Sequence, residues 1–135
     1  MVDNTKMSEI VIKLATLLIR SPNGESSTEA YAAAIFLTHV GWNKELGHNI
    51  DNYKDFLKML EKETPKFWSE LISKDADFLI ETIRQAKKKL YPTDLRVIVT
   101  CGLPGGKVRV EWCYEADFLN MTKNSNNRLD FKSWK

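Results

Sequence analysis

The sequence predicts an α+β fold: four to five N-terminal helices packed on one face of a small antiparallel β-sheet built on a C-terminal hairpin. Three observations carry that reading. Apolar residues recur at helical spacing through residues 8–91, the period then changes to two over residues 94–115, and a Gly/Pro-rich turn divides that second region in half. The 135 residues leave room for one domain, 1–135, with residues 1–7 as a loose end. A composition of 43% hydrophobic and 28% charged residues is that of an ordinary globular chain, which excludes a collagen, a coiled-coil rod and a disulfide-rich miniprotein.

Ser8 is placed to cap a first helix whose apolar residues are Ile10, Val11, Leu14, Leu17 and Leu18, one face of a 3.6-residue period. Ser21, Pro22, Asn23 and Gly24 end it. Ser26 and Glu29 have capping-box spacing and open a second helix that runs to about Leu46. That helix is apolar on most sides, with Ile35, Phe36, Leu37, Val40 and Trp42, so it is expected at the centre of the domain. Gly47 suits its C-terminal cap. A short third helix starts at Asp51 or Asn52 and turns Tyr53, Phe56, Leu57 and Leu60 inward. Thr64 and Pro65 predict the start of a fourth, with a stripe of Trp68, Leu71, Ile72, Leu79, Ile83, Ala86 and Leu90. The polar residues 73–77 interrupt the stripe and are expected to divide it.

In the hairpin, Leu95, Val97, Val99 and Cys101 alternate with polar residues, as do Val108, Val110, Trp112 and Tyr114. Both apolar sets must share the buried face, because a slip of one residue would put one of them in water. The expected register therefore sets Cys101 opposite Val108, Val99 opposite Val110, Val97 opposite Trp112 and Leu95 opposite Tyr114. Arg96, Arg109, Glu111, Asp94 and Glu115 then lie on the outer face, and Cys101 and Cys113 on opposite faces, unable to form a disulfide. Residues 117–135 are polar and Asn-rich; a third strand is expected from them or from a second copy of the chain, since a lone hairpin is marginal. An open strand edge also favours self-association.

The charge balance excludes little. Twenty basic against eighteen acidic residues give +2, drifting from −1 over residues 1–50 to +2 over 94–135. The densest basic cluster, Arg84, Lys87, Lys88 and Lys89, is the candidate nucleic-acid surface, although a final helical turn of lysines also suits the helix dipole. No zinc-finger, helix-turn-helix or RNA-recognition motif accompanies it. Two cysteines and no export signal lead us to expect a cytoplasmic protein, and no uncharged run approaches the roughly 20 residues of a membrane span.

Candidate chemistry is sparse. His39 sits among Phe36, Val40 and Trp42, where a histidine bonded to a backbone carbonyl is the default and a general base the alternative. Cys101 or Cys113 paired with His39 and oriented by Asn43 is the nucleophilic version of that alternative. His48 belongs at a helix end. Asp94 facing Glu115 would juxtapose like charges, which Arg96, solvent or an oxygen-bound metal must neutralise. No ligand spacing imposes a metal, and no cofactor motif is present: the glycines at 102, 105 and 106 join two strands, not a strand to a helix. The residues argue against an enzyme without deciding it. They favour a non-catalytic binding or regulatory protein acting through a protein partner or self-association, using Arg96, Arg109 and Glu111 on the outer sheet face and Trp134 on the terminal segment. For Trp134, docking on its own domain is the default reading. The alternatives are a small enzyme at the helix–sheet junction, using His39, Asp94 or Glu115, and a nucleic-acid-associated accessory protein.

Overall fold

A computed structural model describes residues 6–20, 28–48, 53–102 and 107–122, the last four of these by backbone alone. Over them the element order is α1 (Met7–Thr16), α2 (Thr28–Glu45), α3 (Tyr53–Glu63), a 3₁₀ helix (Phe67–Glu70), α4 (Ala76–Leu90), β1 (Val97–Gly102), β2 (Arg109–Cys113) and α5 (Glu115–Thr122). The α+β class is thus as expected. α2 is the central element, packing on α1, α4 and β1. Its residues from 33 to 43 are all buried, Thr38, His39 and Asn43 included. Gly41 makes the α2–α4 contact close: a Cβ there would lie 2.8 Å from Ile83 Cβ and 2.9 Å from the Ile80 carbonyl oxygen. Gly47 takes a φ of +94°, and His48 N–H then donates to Asn43 O, the glycine-dependent end expected of α2.

Two helix starts differ from the sequence reading. α1 begins after Lys6 without a side-chain cap, so Ser8 lies inside it. Thr64 and Pro65 lead only into the 3₁₀ helix; α4 starts anew at Ala76, where the Asp75 carboxylate accepts from the Asp77 and Phe78 amides. Between them Leu71 pairs with Ile19, and Arg20 Nε donates to Leu71 O, which ties the end of α1 to this connection. The expected division near 73–77 is therefore real. Ser26 and the starts proposed at residues 51 and 52 lie outside the described residues.

The hairpin departs further. Cys101 faces Val110, Thr100 faces Glu111, and a bulge at Val99 shifts the rest, so Ile98 faces Trp112 and Val97 faces Cys113. The strands are displaced by two residues from the expected register, and the bulge then exchanges faces. Alternation assigns faces only along an unbroken strand, and one inserted residue breaks it. Ile98, Arg96 and Asp94 turn inward, while Leu95, Trp112 and Tyr114 are 63%, 40% and 52% exposed. Both cysteines are free. Residues 115–122 are helical rather than the start of a third strand, and 123–135 lie outside the described residues.

Candidate functional site: a buried polar junction and an exposed sheet edge

The polar residues with chemical potential converge where α2 meets the first residues of β1. Asn43 and His39 are one turn apart on α2, hence on one face. The Asn43 side chain makes a two-point amide clamp: its Nδ2 donates to Ile98 O at 2.8 Å and its Oδ1 accepts from Ile98 N–H at 2.9 Å. The clamp reproduces what a neighbouring strand would supply. His39 Nε2 lies 3.1 Å from the same carbonyl. A carbonyl only accepts, so Nε2 carries the hydrogen and Nδ1, buried without a partner, is the bare nitrogen. Burial holds the His39 pKa down at about 4, partly offset by the Ile98 bond, so the ring is neutral near pH 7. The Trp42 indole N–H donates to Arg96 O at 2.6 Å.

Asp94 and Arg96 form a fork on this stretch. Arg96 Nη2 and Nε reach the Asp94 carboxylate at 2.6 and 3.0 Å, and the Arg96 backbone N–H also donates to it. Both side chains are buried, and Arg96 lies 5.2 Å from the Trp112 ring on its other side. Lys87, from α4, is buried too; its Nζ donates to Asp94 O at 2.7 Å and sits 4.4 Å from the Trp42 ring. Desolvation lowers the Lys87 pKa, opposed by Asp94 and Glu45.

These placements redistribute the candidate residues. Asp94 and Glu115 do not face each other: Asp94 pairs with Arg96, one of the neutralising partners the sequence offered, and Glu115 accepts from His48 at 3.1 Å. Arg96 is not on the outer face. It positions the strand and backs Trp112. His39 spends its hydrogen bond on Ile98, not on Cys101, and burial pushes the Cys101 thiol well up. Arg84 is paired with Glu45 and Glu81, and Lys88 lies 3.8 Å from Glu45. With Lys87 buried, Lys89 and the partly neutralised Arg84 and Lys88 are what remains of the basic cluster at the surface. Arg109 and Glu111 are exposed as expected; Trp134 lies outside the described residues.

The junction's other holdfasts, Trp42 and Asn43, were not legible as such. The available signal was Asn43 itself, a polar amide on a helix apolar on most sides, where burial obliges it to find backbone partners. A second feature is the exposed end of the sheet, where Leu95 and the edge-to-face pair Trp112–Tyr114, 5.3 Å apart, stand in water. A shallow groove of about 210 Å³ over Trp68 mixes Lys54 and Lys58 with Asp75 and Asp77 and selects no single ligand charge. Among the described residues no group of His, Cys, Asp and Glu is arranged to hold a metal, and no helix is long and apolar enough to cross a membrane. No protein-family model matches this chain, nor does any curated protein or solved structure.

Proposed function

We propose that the chain is a non-catalytic binding or regulatory protein that acts through a protein partner or through self-association. Its contact surface is centred on the Trp112–Tyr114 pair at the end of β2, with Glu111 and Arg109 exposed on the same strand. The observation that supports this is the exposure of the Trp112–Tyr114 pair at the end of β2, while Asp94, Arg96, His39 and Lys87 are committed to holding the start of β1 on α2 and α4. An aromatic centre with a charged rim is the usual composition of a binding patch. Two free cysteines suit the reducing cytoplasm, the compartment we assign to it.

The test is isolation of the tagged full chain from its native host at near-physiological salt, with and without nuclease, followed by size measurement. A stoichiometric protein or a self-associated species that survives nuclease, and that Trp112→Ala and Tyr114→Ala abolish while Lys54→Ala does not, is the expected result. A complex that the two aromatic substitutions leave intact overturns the surface assignment. Loss of the complex with nuclease moves the function to nucleic acid.

A further inference from the structure

We propose that the occupant of the β2 edge is a second copy of this chain. Two β2 strands pair antiparallel about a twofold axis at Val110, with Arg109 of each copy opposite Glu111 of the other and Trp112 opposite Val108, joining two hairpins into a four-stranded sheet. This rests on the reading of that strand as the contact surface and commits it to one partner.

The backbone limits the registers. Both main-chain groups of Ile98 are taken by Asn43, so the Ile98–Trp112 pair is a non-hydrogen-bonded one. The N–H and C=O of Trp112 therefore point away from β1, and by alternation along β2 so do those of Val110, while those of Arg109 and Glu111 serve β1. Among the described residues β2 has no strand on its other side. An added strand finds donors and acceptors there only at the even-numbered positions. When that strand is a second β2, the twofold axis must pass through a residue, so that even positions stand opposite even ones.

Charge then selects the residue. Arg109 and Glu111 are exposed, and among the described residues neither has an ion-pair partner. Two positions apart, they share one face of the strand. An axis at Glu111 sets two carboxylates against each other, and an axis at Arg109 does the same to two guanidinium groups. An axis at Trp112 leaves Glu111 opposite Cys113 and sends Arg109 to Glu115, which begins α5 and already holds His48. An axis at Val110 instead makes two Arg109–Glu111 pairs, in the non-hydrogen-bonded positions where facing side chains lie closest. The other face agrees. Val108 and Val110 are half-buried against the core, and Trp112 beside them is exposed. In this register Val110 meets Val110 and each Trp112 ring gains Val108 of the other copy as cover, so one arrangement satisfies backbone, charge and apolar surface together.

The test is sedimentation equilibrium of the full chain, of Arg109→Glu, of Glu111→Arg, and of the two variants mixed in equal amounts. Both positions are exposed, and the thermal midpoint of each variant checks that the fold is kept. The expected result is a dimer in the wild type and a dissociation constant raised about tenfold or more by either single change, since each turns two opposite-charge pairs into like-charge ones. The mixture should recover the dimer, because every pair across the axis is again opposite in charge. A wild-type chain that stays monomeric, a dimer that the single changes leave unaltered, or a mixture that fails to recover it overturns the proposal. If the wild type is monomeric, a different protein that co-purifies and is lost with Trp112→Ala still upholds the contact surface; without such a protein that reading falls as well.

Discussion

The two strands of the hairpin differ in what lies along their outer edges. β1 is backed at Ile98 by side chains of α2: the Asn43 amide takes the place of a neighbouring strand, His39 adds a bond to the same carbonyl, and Trp42 holds the Arg96 carbonyl one pair away. β2 carries Trp112 at a similar level, exposed and stacked on the Arg96 guanidinium. A side-chain clamp satisfies a strand edge and blocks pairing at that point; an edge left without one offers itself to another segment. The polar residues on the β1 side are thus committed to holding the strand, and the exposed Trp112 and Tyr114 on the β2 side form the surface we propose for binding.

Asn43→Ala breaks the comparison most severely. It leaves the Ile98 N–H unpaired and the carbonyl with His39 alone, and buried unsatisfied groups cost about 1–3 kcal/mol each. Urea unfolding should show a loss of about 2–4 kcal/mol, and a loss under 1 kcal/mol would mean that water or another group substitutes for the clamp. His39 supplies the pH dependence of the same region. Its folded pKa of about 4 lies below the ordinary 6.5, so the folded state binds fewer protons. The stabilisation is complete above about pH 6.5 and disappears as the pH falls toward 4, a change of about 3 kcal/mol at most. His39→Gln should flatten that window relative to the wild type; an unchanged slope between pH 6.5 and 4 would contradict the assignment. Gly41→Ala pushes a methyl against Ile83 and the Ile80 carbonyl and should cost about 1–3 kcal/mol by overpacking, measured by the same unfolding curve. Trp112→Ala sharpens the contrast from the other side. Its ring is 40% exposed, so its removal should cost about 1 kcal/mol or less, chiefly the contact with Arg96, while abolishing the complex or self-association.

Much of the helical body was legible because it follows period and capping rules. The buried face of α1 at Ile10, Val11, Leu14 and Leu18, though not at the exposed Leu17, the central place of α2, the glycine ending it and the break before α4 all follow from spacing and from residues whose local preferences agree with the fold. The hairpin was legible as a hairpin and not in its register. Alternation predicts faces only while it is unbroken, and nothing in Val97, Ile98 and Val99, three β-branched residues in a row, says which one the bulge leaves out. Of the site, the carbonyl-bound His39 and the helix-end position of His48 were anticipated from the sequence; Arg96 was one of several partners offered for Asp94, and on the outer face, where neither lies. The Asn43 clamp and the burial of Lys87 were not, because each depends on two elements whose packing angle no local pattern encodes.

Amide hydrogen exchange at Ile98 tests the structural half of this account most directly. The Ile98 N–H, held by Asn43 and not by the strand ladder, should exchange in the wild type as slowly as the core amides of α2, and Asn43→Ala should speed it by about 30-fold or more, as 2 kcal/mol requires. A fast Ile98 amide in the wild type, or equal protection in the variant, would contradict it.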